Sequence, residues 1–281
     1  MVSTTGLERH PWNREFTWSV SPPPHRWLTD DQVAQFDHDG FVVVPDVFDA
    51  ATLEPIVEEI DRFEGEVEGF LRSLDGERMM IAEAGAITFT THLVTRSPAL
   101  ADFARHPAFA GICADLVGPD VNLYWDQAVY KKPEKPRRFP WHQDNGYAYV
   151  EPQQYLTCWL ALNDATAANG CPQVARGLHR AGTLAHTYVD PLGFECLTEP
   201  DDVAVAEVAA GGIVVFSSLT PHLTGPNLTA DVRKAYILQY APAGAEILRG
   251  DAAAGEPVSR DTADHPARQF PILRSGEPVA S

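Results

Sequence analysis

Cysteine is scarce: four in 281 residues (Cys113, Cys158, Cys171 and Cys196), none in Cys-x-x-Cys spacing. That excludes a disulfide framework and a zinc ribbon, and leaves the reduced thiols of a cytoplasmic protein as the plain reading. Long apolar runs are also lacking. No stretch approaches the ~20 residues that span a bilayer, and no basic segment followed by an apolar run opens the chain. Neither secretion nor a membrane is therefore expected. Positive charge is the third shortage. Lys plus Arg number 21 against 39 for Asp plus Glu, a net charge of −18. Such a field repels phosphate backbones and anionic lipid, so nucleic-acid binding is not expected. No internal repeat is visible, and nothing fixes an oligomeric state.

What is present is ordinary for a globular chain: 44% hydrophobic and 21% charged residues, in a length that suits one domain. Residues 1–27 carry Pro11, Pro22-Pro23-Pro24 and Trp12, Trp18 and Trp27, which predicts an irregular arm laid over the surface. Residues 28–120 read as a helical flank. Thr29 caps a short helix that Gly40 stops, Phe41–Val44 is a buried strand, and Asp49 starts a helix with Leu53, Ile56, Val57 and Ile60 at helical spacing. Gly65, Gly69, Gly76 and Gly85 predict a loop over 64–97 with short strands at Met79–Ile81 and Ile87–Phe89. Two short helices broken at Pro107 follow.

From residue 121 to 243 the pattern changes to strands between turns. Runs at Val121–Tyr130, Trp141–Tyr149, Tyr155–Leu162, Gln173–Ala175, Thr183–Tyr188, Val203–Glu207, Ile213–Phe216 and Lys234–Tyr240 predict about eight strands. Residues 244–281 form a tail rich in Gly, Ala and Pro. The fold expected is mainly β, a double-stranded β-helix (a jelly roll, cupin-like barrel) with the N-terminal helical region packed outside.

Trp141-His142-Gln143-Asp144 holds the chain's only His-x-Asp or His-x-Glu. On an extended strand His142 and Asp144 point the same way, and together make two-thirds of a 2-His-1-carboxylate metal site. By itself the pair suits a hydrogen-bonded surface couple as well. His222 follows a buried strand and lies after Pro221; Arg233 comes eleven residues later and shares a strand face with Ala235, Ile237 and Gln239. A guanidinium aimed into an apolar barrel is costly unless it meets an anion. A dicarboxylate that chelates the metal at one end and pairs with Arg233 at the other satisfies both demands. Thr224, on the face of His222, is placed to add a hydroxyl.

His142-x-Asp144, His222 and Arg233, in that order, resemble the iron(II)/2-oxoglutarate oxygenases, specifically the phytanoyl-CoA dioxygenase family. The likeness covers about residues 28–243. It includes Asp39-Gly40-Phe41-Val42-Val43-Val44-Pro45, Lys132-Pro133, Asn169-Gly170-Cys171-Pro172 and Thr220-Pro221-His222 with Gly225-Pro226-Asn227. One departure is visible: where the family usually has Pro-Gly-Ser-His, this chain reads Ala175-Arg176-Gly177-Leu178-His179. The resemblance implies one oxygenase domain over 1–281, with His142, Asp144 and His222 as metal ligands and catalytic centre. It implies Arg233 and Thr224 on the distal carboxylate of 2-oxoglutarate, with Gln127 and Trp159 lining that pocket. The cofactors implied are Fe(II), 2-oxoglutarate and O2, and the substrate a small organic molecule. Related halogenases carry a small residue at the place of Asp144, so a carboxylate here favours hydroxylation of an unactivated C–H with release of succinate and CO2, with desaturation, ring closure and epoxidation as the open alternatives.

Two rivals stand beside this reading: a non-catalytic jelly-roll module that binds 2-oxoglutarate or metal, and a zinc hydrolase, which gives Arg233 no role. Lys131, Lys132, Lys135, Arg137 and Arg138 form a basic island, expected as a solvated loop before the metal strand. His92, His106, His179 and His186 are expected to be hydrogen-bonded or exposed.

Overall fold

The computed structural model describes residues 7–133 and 139–279 of the chain. Lys135, Arg137 and Arg138 of the basic island lie outside them. Thr29 and Gln32 form a reciprocal capping box at the start of helix α1 (Asp30–Asp39), and Gly40 closes it at φ +84°. A Cβ at Gly40 would lie 2.5 Å from the His179 ring, so backbone angle and packing both demand glycine. Strand β1 (Phe41–Val44) follows, then α2 (Ala50–Ser73), capped by Asp49.

Helix α2 overturns part of the loop expected over 64–97, because it runs through Gly65 and Gly69 to Ser73. A Cβ at either glycine would touch nothing within 4 Å. Meanwhile Phe63 and Leu71 prolong the buried stripe of Leu53, Ile56 and Ile60. Burying two large side chains outweighs the ~1 kcal/mol that each glycine costs a helix. Strands β2 (Arg78–Met79) and β3 (Ala82–Glu83) then flank a turn at Met80-Ile81, where one strand was expected, before β4 (Ile87–Thr91). The two short helices α3 (Pro98–Phe103) and α4 (Pro107–Leu116) each begin on a proline.

The long strand β5 (Val121–Lys131) enters the main sheet. After it come β6 (Val150–Glu151), β7 (Leu156–Ala161), β8 (Pro172–Ala175), β9 (Thr187–Val189), β10 (Gly193–Glu195), β11 (Val203–Val205), β12 (Ile213–Ser217), β13 (His222–Thr224) and β14 (Arg233–Pro242). The tail adds β15 (Glu246–Arg249), β16 (Ser259–Thr262), β17 (Pro271–Arg274) and β18 (Glu277–Pro278). The main sheet runs β1-β12-β7-β14-β5-β4-β3-β2, with β17 also on β5; a smaller sheet runs β11-β8-β13, and the tail's β16-β15 extends β6. Two facing antiparallel sheets with helices outside make the jelly roll expected from the strand pattern.

Alternation sorts the two faces of the main sheet. Leu156, Cys158, Leu160, Tyr236 and Leu238 pack outward with the helices. Trp159, Val214, Phe216, Ala235 and Ile237 point inward, toward the small sheet. Two expected strands are not formed as such. Trp141 and His142 make only isolated bridges, and a turn at Asp144–Gly146 ends the run. Buried Asn145 drives that turn, closing its carboxamide on Val150 and Thr183. Residues 183–186 are tied instead to the N-terminal arm, through Arg9 opposite Leu184 and backbone bonds from His10 to Thr183 and from Ala185 to Glu8. Among the described residues no helix is long and apolar enough to cross a membrane.

Candidate metal centre and cosubstrate pocket

His142 and His222 face each other across a two-bond bridge: each backbone N–H donates to the other's carbonyl, at 3.0 and 2.9 Å. The imidazole centroids lie 4.4 Å apart. His142 Nδ1 meets the carbonyl of Pro140 at 3.1 Å, and His222 Nδ1 that of Thr220 at 3.0 Å. A carbonyl only accepts, so Nδ1 is the donor in both rings and Nε2 is the nitrogen left to face a metal. Burial and the neighbouring His222 hold the His142 pKa well below the ordinary histidine value, so the ring is neutral, the form that ligates.

Asp144 completes the group. Gln143 between the ligands is extended (φ −105°, ψ 144°), which turns both neighbours to one side even without a regular strand. Asp144 Oδ1 lies 3.8 Å from His222 Nε2, and Oδ2 accepts the Thr157 hydroxyl. One ligand atom from each of the three residues falls within 4.8 Å of the others. Two imidazoles and one carboxylate on one side of a cavity fit iron(II) in a facial triad.

The turn is held by residues the motif does not contain. Fully buried Gln143 donates its carboxamide to the carbonyls of Gly182 and Leu219 and accepts the N–H of Leu184. Its backbone N–H donates to His186 Nε2 at 3.0 Å, while His186 Nδ1 donates to Leu184 at 2.9 Å. A Cβ on Gly146 would lie 2.1 Å from that ring. His186 thus locks the peptide between two ligands. Of the other histidines, His179 is buried away from the cavity, edge-on to Trp18.

Arg233 opens β14 and is fully buried, its guanidinium carbon 5.0 Å from the Trp159 ring. Its partner across β5 is Lys131, which is buried rather than solvated as the basic island predicted. Lys131 donates to the carbonyls of Thr224 and Gly225, at 2.8 and 2.6 Å, and lies over Phe139. It therefore fixes the backbone that carries Thr224. His142, Asp144, His222, Thr224, Arg233, Gln127 and Trp159 all line one cavity of about 560 Å³ between the sheets. The inward face of Thr157 and Trp159 is cavity wall.

A jelly roll holding this donor set, with a buried arginine at the far end of its cavity, defines an iron(II)/2-oxoglutarate-dependent oxygenase. The chain belongs to the phytanoyl-CoA dioxygenase (PhyH) family, whose model matches residues 36–235. It is 24% identical over 234 residues to an ectoine dioxygenase of Bordetella parapertussis, covering 76% of this chain and 75% of the relative. It is 30% identical over 159 residues to a probable phytanoyl-CoA dioxygenase of Caenorhabditis elegans, about half (51%) of each. Among solved structures, the epimerase SnoN in complex with Fe3+, alpha ketoglutarate and nogalamycin RO shares the fold. Its TM-score is 0.66 at 21% identity, over 86% of this chain and 97% of that one.

Proposed function

We propose that His142, Asp144 and His222 hold iron(II), and that Arg233 with Thr224 holds the distal carboxylate of 2-oxoglutarate beside Trp159 and Gln127. The observation that carries this assignment is the convergence of three ligand atoms on the wall of the cavity that also contains Arg233. Iron(II) and 2-oxoglutarate, when bound, supply with O2 the oxidising power to hydroxylate an unactivated C–H of a small organic substrate, releasing succinate and CO2.

The chain's own residues do the rest. The guanidinium offers a carboxylate two parallel N–H donors, which fixes the orientation of the cosubstrate as well as its affinity. Thr157 keeps one oxygen of Asp144 occupied, so the other is aimed at the metal position. The apolar walls keep water from the reacting atoms. Asp144 itself occupies a ligand position that a small residue would leave open, which favours oxygen transfer. A zinc hydrolase has no use for Arg233. Purified protein supplied with iron(II), ascorbate and 2-oxoglutarate should release succinate, and Asp144→Ala should abolish that release. Wild-type protein with neither turnover nor a 2-oxoglutarate-dependent metal spectrum would refute the assignment.

A further inference from the structure

Strand register divides the cavity into two compartments. The inward side chains of β14 run Arg233, Ala235, Ile237, Gln239, so Arg233 and Gln239 sit about 20 Å apart at ~3.3 Å per residue. Ile237 is level with Trp159 and Gln127; Gln239 is level with Thr157, the residue holding Asp144, and with Trp125. The 2-oxoglutarate anchor is therefore at one end, and the space beyond Asp144 is at the other.

That far end is built from rings. Between β14 and β5 the register shifts after Gln239: Gln239 faces Trp125 but Tyr240 faces Leu123, leaving Tyr124 as a bulged extra residue. Regular alternation sends neighbouring side chains to opposite faces, and the bulge instead puts both Tyr124 and Trp125 on the cavity wall. Tyr155 stands edge-on to Tyr124 at 5.3 Å, and the His92 ring backs Trp125 at 4.4 Å. Tyr147 stands edge-on to His142 and to Phe194, at 5.3 Å each. At the mouth, Met80 and Tyr147 are 59% and 50% exposed and form an apolar rim.

Charge is missing from the same compartment. Among the described residues, the ionisable groups on the cavity wall other than tyrosines are Asp144, His142, His222 and Arg233, all committed to metal and cosubstrate. A charged substrate group placed beyond Asp144 would lose its water and meet no charged side chain on the wall itself, since Arg268 stands behind Trp125 on the His92 ring. The polar handle there is neutral. The Gln239 carboxamide lines the cavity and has no hydrogen-bond partner among the described residues.

We propose that this compartment takes an uncharged, ring-bearing molecule, stacked on Trp125 and Tyr124 and oriented through a hydroxyl or carbonyl on Gln239. The inference rests on the oxygenase reading only for which end is the substrate's. Flat rings gain most from offset and edge-to-face aromatic contact, and a cavity of about 560 Å³ is in the range that encloses a drug-sized molecule. An acyl-CoA would bring phosphates, ectoine a zwitterion, and choline a cation suited to an aromatic box; each is a rival occupant.

The test is calorimetric titration of the protein loaded with iron(II) and 2-oxoglutarate under nitrogen. The probes are progesterone and anthracenemethanol against hexanoyl-CoA, ectoine and choline. At least one ring probe should bind about tenfold or more tightly than every charged probe. Trp125→Ala should weaken the ring probe about tenfold, and Gln239→Leu should weaken it several-fold with the fold intact by circular dichroism. A charged probe binding as tightly as both ring probes, no binding of either ring probe, or ring affinity unchanged in both variants overturns the proposal. Succinate assays run alongside keep the two claims apart. Ring binding with neither 2-oxoglutarate turnover nor a 2-oxoglutarate-dependent metal spectrum would refute the oxygenase reading and leave the occupant of this compartment as stated.

Discussion

His142 and His222 share one device, in which Nδ1 is spent on the carbonyl two residues back so that Nε2 faces the cavity. Gln143 and His186 add a second layer, holding the peptide between His142 and Asp144 extended. Removing that layer should loosen the metal without touching a ligand. His186→Ala is predicted to weaken iron binding by about tenfold or more, read by competition with a chelator; unchanged affinity would show that the Gln143 peptide holds itself. His179 has a different role. Burial pushes its pKa down to about 4 from 6.5. Above pH 6.5 the ring is neutral in folded and unfolded chains alike. As pH falls from 6.5 toward 4, the unfolded chain takes up a proton that the folded chain refuses, so stability drops, by roughly 3 kcal/mol at the foot of the window. His179→Gln should flatten the acid side of a stability–pH curve measured by denaturant unfolding; an unaltered slope would contradict this. That His142, Asp144, His222 and Arg233 converge on one cavity was legible from motif and strand alternation. Thr157 and His186 were not, because their partners lie 13 and 43 residues away and only the folded turn introduces them.

At the scale of elements, glycine meant different things in different places. In α2, Gly65 and Gly69 suggested a break but lie on the solvent face, and the apolar spacing of Phe63 and Leu71 prevails over propensity. Gly146 is required by a neighbour remote in sequence, the His186 ring. The two sites predict opposite outcomes in one experiment. Gly69→Ala should raise stability by up to ~1 kcal/mol in denaturant unfolding, whereas Gly146→Ala should lower it and reduce iron binding with it. Equal effects would show that the close approach at Gly146 is not a constraint. The expected strand Trp141–Tyr149 failed for a related reason: the chain turns at Asp144–Gly146, and the alternation around that turn does not reveal it. The register shift opposite Tyr124 had no sequence signal, since a bulge is a property of two strands together.

For the whole molecule, one jelly roll places His142, Asp144 and His222 on the small-sheet side and Arg233 on the inner face of the large sheet. The jelly-roll class and the helical flank outside it follow from turn spacing and binary pattern, so that much was readable in advance; the ten strands β5–β14, against about eight expected, were not. The N-terminal arm was readable only as irregular chain. Its residues 8–13 bond to 181–185, the segment that holds Gln143 and His186. A segment outside the matched family region therefore braces the metal turn from behind. The central claim is that metal and cosubstrate anchors are separate parts of one site. The direct measurement is an anaerobic titration of 2-oxoglutarate into the iron(II)-loaded wild type and Arg233→Ala, followed by the visible charge-transfer band with iron content assayed in parallel. The account predicts that both proteins retain iron, and that the Arg233→Ala midpoint rises several-fold or more. Equal loss of iron and 2-oxoglutarate binding, or an unmoved midpoint, would contradict it.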